Sequence, residues 1–264
     1  IGLFAWSDIT KLQVPEGFEI QEFVTEIDDA RQMVEGSNFI FVGTKSAGNV
    51  YAIDKNNANK VSVILTDLDM PTGVALKNDD LYIAETDTIH VVKNIEEKLS
   101  SNKEITTEIF FSDLPRKTMW NPVTKAWHGW KWIDFGPDGA LYISEGVPCN
   151  VCDEDDPRYG TILKLENNNL SIFADGVRNS VGFDWHPLSQ EMYFTDNGRD
   201  WMGDDIPPCE LNRVVNAGDH FGFPFVHGKN IPDTGFEAPK DFVFSQPVWE
   251  FQAHTAPLGI KFYA

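Results

Sequence analysis

The chain has 264 residues, 42% of them hydrophobic and 23% charged, which is the makeup of a globular domain. Its 41 acidic against 21 basic residues give a net charge of −20, a field that repels phosphate backbones and excludes nucleic acid as a partner. No apolar run approaches the ~20 residues a membrane helix needs, and Ile1–Trp6 lacks the charged and apolar regions of a signal peptide.

Taken in chain order, one pattern recurs. A small apolar strand and a polar turn lead to a second strand, in which aromatic and aliphatic residues alternate with small ones, at 38–44, 80–85, 140–145 and 191–196. Tyr82, Tyr142 and Tyr193 mark successive copies. A further strand follows each copy, at 49–53, 88–92, 161–165 and 210–214, and outer strands follow at 61–65, 107–111 and 171–173. Four short antiparallel strands per repeat, punctuated by 20 Gly and 15 Pro, predict the blades of an all-β propeller in one domain spanning 1–264. Four copies are present and Thr255–Tyr263 opens a fifth. A propeller must close to remove its edges, so the sequence is expected to be incomplete at its C-terminus.

The segments that approach the innermost strands carry the candidate chemistry. His128 stands beside Gly129 among tryptophans. Histidine suits proton transfer near neutral pH, although the residues alone favour a packed structural role. Gly136–Gly139 is a turn, and His186 before Pro187 reads as structural. Arg178 and Asn179 are expected at the position in their blade that Trp127 and His128 hold in theirs. There an arginine offers a forked donor to carboxylates or carbonyls, or closes an ion pair between blades. The loop 195–213 is dense in oxygen donors, so it reads either as a calcium-binding loop or as a solvated acidic one.

Cys149 and Cys152 form a C-N-V-C loop followed by Asp153–Asp156, and Cys209 stands alone. There is no second Cys or His pair for zinc, and no helix after the motif for redox exchange. A small structural disulfide is the favoured reading, with two free thiols as the alternative. A disulfide implies an oxidising compartment, periplasmic or secreted.

Four segments in order, W-H-G-W-K-W-I-D-F-G-P-D-G-A-L-Y at 127–142, V-R-N-S-V-G-F-D-W-H-P at 177–187, F-T-D-N-G-R-D-W-M-G-D-D at 194–205 and H-F-G-F-P-F-V-H-G at 220–228, resemble the glucose/sorbosone dehydrogenase family. The P-C-N-V-C segment points to its sorbosone branch. That resemblance implies a six-bladed propeller using pyrroloquinoline quinone (PQQ) and calcium to oxidise aldoses or related aldehydes, with electrons passed to an external quinone or cytochrome.

By position, the resemblance makes His128 the base that takes the proton from the sugar's anomeric hydroxyl. It places Arg178 and Asn179 beside the cofactor and makes the main-chain carbonyls of Gly198 and Arg199 calcium ligands. Glu210 corresponds to a second, structural calcium site. Val181 stands where the glucose-oxidising branch has glutamine, so hexose binding is expected to differ. The family's later cofactor anchors lie beyond Ala264, so this chain alone is expected to be inactive. The competing readings are a calcium-dependent lactonase or esterase propeller, and a non-catalytic sugar-binding propeller.

Overall fold

The computed structural model describes residues 9–116 and 128–263; Ile1–Trp6 and Trp127 lie outside them. Four antiparallel sheets follow one another along the chain. The first is built of β1 (Ala30–Glu35), β2 (Phe39–Thr44), β3 (Val50–Asp54) and β4 (Asn57–Leu65) in sequential order. The second contains β5 (Gly73–Lys77), β6 (Asp80–Ala84), β7 (Ile89–Val92) and β8 (Glu108–Phe111), with the short helix α1 (Ile95–Ser100) on the connection to β8. The third contains β9 (Ile133–Phe135), β10 (Leu141–Glu145), β11 (Thr161–Glu166) and β12 (Asn169–Asp175). The fourth begins with β13 (Phe183–Trp185), β14 (Met192–Asp196) and β15 (Cys209–Arg213).

The recurrent strands of the sequence are therefore the second strands of four propeller blades. They read as nearly continuous apolar runs because a blade is covered on both faces; all five residues of β10 are buried. The outer strand β8 is exposed at three of its four residues.

The apolar cores lie between blades. Phe41, Val50 and Ala52 of the first pack with Val74, Leu81 and Ile83 of the second. Tyr82 and Ile89 meet Ile133, Leu141 and Leu163 of the third, whose Tyr142 and Ile162 meet Phe183, Met192 and Phe194 of the fourth. The repeated tyrosines make a repeated contact. Tyr82 meets Phe135 edge to face at 4.8 Å between ring centroids, and Tyr142 meets Trp185 at 5.2 Å.

Near the innermost strands the blades are tied by polar groups as well. The buried Gln32 of β1 accepts from the backbone N–H groups of Val74 and Ile133 and donates to the Ile133 carbonyl.

Two features depart from the sequence expectation. The fourth blade's outer strand is β19 (Trp249–Phe251), reached only after an excursion. That excursion holds β16 (Asp219–His220), which adds in parallel to β12, and the hairpin of β17 (Val226–His227) and β18 (Ile231–Pro232). The second departure is that Thr255–Tyr263 forms no strand. It nevertheless lies along β13: Phe262 donates its N–H to Asp184, and its ring meets Tyr193 edge to face at 5.2 Å. Phe262 thus stands to Tyr193 as Phe135 does to Tyr82. No helix among the described residues is long and apolar enough to cross a membrane.

Candidate functional site

Loops from the third and fourth blades converge at one end of the sheets. His128 lies five residues before β9, in a left-handed conformation with φ of +56°. Counting back from β13 puts Arg178, not Asn179, at the equivalent place, so the register is one residue away from the sequence expectation.

The loop leaving β10 joins the two approaches. His128 Nδ1 lies 2.9 Å from the Val147 carbonyl, and Val147 donates its own N–H to the Arg178 carbonyl at 3.0 Å. A carbonyl only accepts, so Nδ1 carries the proton and Nε2 carries the lone pair. Gly146 is required by the close approach. A Cβ there would sit 2.7 Å from His128 Cβ and 3.1 Å from Asn179 Oδ1. His128, Arg178 and Asn179 are all buried. Burial, and then the charge of Arg178, lower the His128 pKa to about 3, so the ring is neutral at any ordinary pH.

Arg178 spends four of its five N–H donors within the chain, leaving one on Nη2. Its Nε donates to the Asn150 carbonyl at 2.7 Å and its Nη2 to Asn150 Oδ1 at 3.0 Å, while Nη1 reaches the carbonyls of Asn197 and Gly198 at 3.0 and 3.1 Å. Behind it, Asp196 accepts the N–H groups of Arg178 and Asn179 at 2.8 and 2.6 Å. Burial raises the Asp196 pKa against those hydrogen bonds.

A cavity of about 10 Å³, near the least that a single water needs, is lined among others by Arg178, Asp196, Asn197, Gly198, Glu210 and His227. Gly198 and Glu210 therefore come together, whereas Arg199 lies outside this cavity with its guanidinium paired to Asp233. Glu210 accepts from Gly228 N–H and from Asn212 Nδ2, yet burial and the neighbouring Asp196 push its pKa well up. Asn197 Oδ1 and Asn212 Oδ1 are buried oxygens without a hydrogen-bond partner. Among the described residues no three His, Cys, Asp or Glu side chains are grouped to hold a metal.

Sequence reasoning missed several parts of this site. Gly146 and Val147 act through backbone and lack of bulk, which leave no residue-type signal. Lys45, from the loop after β2, places its ammonium 3.7 Å from the centroid of Trp130 and adds to the positive field at His128. Beneath them Lys131 and Glu145 form a fully buried ion pair at 2.7 Å. The two cysteines of C-N-V-C are disulfide-bonded, and Cys209 is free and buried. His186 is structural as expected, its Nδ1 accepting from the N–H groups of Leu188 and Ser189.

Blades packed face to face, with polar loops gathered at one end of the innermost strands, define a β-propeller carrying a buried histidine–arginine site. Residues 86–264 match the family described as Glucose / Sorbosone dehydrogenase, and the chain belongs to that family. An uncharacterized protein of Borreliella burgdorferi is 37% identical over 265 residues, covering 96% of this chain and 67% of that protein.

Among solved structures, the PQQ-bound aldose sugar dehydrogenase of Streptomyces coelicolor superposes with a TM-score of 0.69 at 18% identity, covering 92% of this chain and 74% of that one. The PQQ domain of pyranose dehydrogenase from Coprinopsis cinerea gives 0.68 at 12% identity, covering 90% and 68%. The apo form of the soluble aldose sugar dehydrogenase of Escherichia coli gives 0.61 at 16%, covering 88% and 74%. At these identities the structural likeness establishes the fold.

Proposed function

We propose that the protein oxidises aldose sugars or related, sorbosone-like aldehydes with PQQ and calcium, and passes the electrons to an external acceptor. The observation that carries this reading is the meeting of His128, Arg178 and Asn179, from two blades, on the backbone of Gly146 and Val147.

The donor set suits the cofactor. PQQ is an anion with three carboxylates, and Arg178 and Lys45 make this part of a chain of net charge −20 locally positive. The oxygens suit calcium, which takes carbonyls, amides and carboxylates. Gly198 keeps one lone pair beyond its bond to Arg178, and Asn197 Oδ1 and Asn212 Oδ1 have no hydrogen-bond partner. The carbonyls of Gly198 and Arg199 would hold one ion, and Glu210 would contribute to a second. When bound, the quinone supplies a hydride acceptor and calcium the charge that polarises it.

The chain's own residues do the rest. His128, fixed as the Nδ1–H tautomer by Val147, takes the proton of the substrate hydroxyl at Nε2. Arg178 and Asn179 bind and orient the anionic cofactor, and the guanidinium counters negative charge as it develops. The Cys149–Cys152 disulfide supports a site of action in the periplasm or outside the cell.

His128→Gln in the full-length gene product tests the assignment, because it fills the same space without a basic nitrogen. Sugar-dependent dye reduction should fall by roughly 10²- to 10⁴-fold while quinone binding survives. Turnover within a few-fold of wild type would remove His128 from the chemistry.

A further inference from the structure

The C-N-V-C loop delivers one side chain to the site. Asn150, between the two half-cystines, is buried and offers Arg178 both of its oxygens, the carbonyl to Nε at 2.7 Å and Oδ1 to Nη2 at 3.0 Å. The same Oδ1 accepts the Asp200 N–H at 2.8 Å, and Nδ2 donates to the Asp200 carbonyl at 3.1 Å. Asn150 thus uses its side chain to pin the loop after β14, which holds Gly198 and Arg199, to the loop after β10, which holds Gly146 and Val147. Among the described residues no other takes two donors of the Arg178 fork through both a backbone and a side-chain oxygen.

We infer that Asn150 is a positioning residue for Arg178, and that the Cys149–Cys152 disulfide serves turnover by holding Asn150 in register. A guanidinium released from two of its partners can swing, and its charge then no longer points at a fixed place. The disulfide does little to constrain the unfolded chain, since a bridge across three residues closes too short a loop. Its effect is local, on the residue it encloses. The inference rests on the reading of Arg178 as a cofactor-side residue.

The test needs a readout that is independent of turnover. Phenylglyoxal modifies accessible guanidiniums, and peptide mass spectrometry reports Arg178 by itself. Labelling would be timed in wild type, in wild type reduced with dithiothreitol, in Asn150→Ala, Asn150→Asp and Cys149→Ser/Cys152→Ser, with thermal melts run alongside. Arg178 should be labelled roughly 10- to 100-fold faster in the reduced protein and in Asn150→Ala, the scale set by losing charge-assisted hydrogen bonds. Asn150→Asp, which keeps the Oδ1 acceptor, should fall between. The melts report the global loss of stability expected from the hydrogen bonds that Asn150→Ala removes, and labelling is compared well below the lowest midpoint, where every variant is folded.

Quinone-dependent turnover in the full-length product should fall in the same order through kcat, with the sugar KM unchanged. Labelling at the wild-type rate in both Asn150→Ala and the reduced protein would overturn the inference, as would fast labelling with undiminished kcat. If wild type shows no quinone-dependent turnover, the functional reading fails, while the labelling series still decides whether Asn150 holds Arg178.

Discussion

Lys131→Met offers a calibrated test of how the ground beneath the site is built. Lys131 and Glu145 are each wholly removed from solvent and lie 2.7 Å apart, and the second Glu145 oxygen has no hydrogen-bond partner. Even with Lys131 present, burial raises the Glu145 pKa from 4.5 to about 7. The folded carboxyl therefore holds a proton that the unfolded chain has released, so stability falls as pH rises from about 4.5 to about 7. A shift of 2.5 units at 1.36 kcal/mol each is about 3 kcal/mol. Removing Lys131 leaves this carboxylate alone, which costs about 3–5 kcal/mol when a buried pair is broken.

Urea unfolding at pH 8 and pH 5 measures it. At pH 8 Lys131→Met should lose most of that amount, and at pH 5, where the buried carboxyl keeps its proton more cheaply, clearly less. The double variant Lys131→Met/Glu145→Leu should recover most of the loss at pH 8. A single variant within ~0.5 kcal/mol of wild type at pH 8, the range of an ordinary surface change, would refute the reasoning. So would a double variant no better than the single.

Two further outcomes follow from the same geometry. Gly146→Ala places a methyl 2.7 Å from His128 Cβ and 2.8 Å from its carbonyl, so it should cost about 1–3 kcal/mol of stability and lower turnover more than sugar binding, read as a kcat loss at near-normal KM. Glu210→Gln should raise the melting temperature at pH 8 in chelator-treated protein, because burial and Asp196 disfavour the Glu210 anion. Added calcium should stabilise wild type more than the variant, which keeps only the ion on the Gly198 and Arg199 carbonyls; equal calcium responses would remove Glu210 from any cation site.

The sequence made the blades legible because each interface asks for the same thing of the same strand. Tyr82, Tyr142 and Tyr193 recur because each meets an aromatic ring from the segment that follows its own blade, Phe135, Trp185 and Phe262. β19 was not legible, since a long excursion separates it from β15 and its three residues carry no repeat signal. At the site, His128, Arg178 and Asn179 stood out by residue type and by family resemblance, and the fold brings them together.

What escaped is what works through backbone or across distance. Gly146 matters for the bulk it lacks, and Val147 for its carbonyl and N–H. Asn150 carries no signal of its own between two cysteines, because its partner Arg178 lies in the next blade. Lys45 comes from the first blade, and only the packing of successive blades sets its charge near His128.

The most direct measurement is dye reduction by the purified full-length gene product, with PQQ and calcium added together, singly and not at all, against a panel of aldoses and sorbosone-like aldehydes. Turnover is expected only when both are present, abolished by chelation and restored by calcium. Undetectable quinone binding together with absent turnover would contradict it, and the buried histidine–arginine site would then serve a different chemistry.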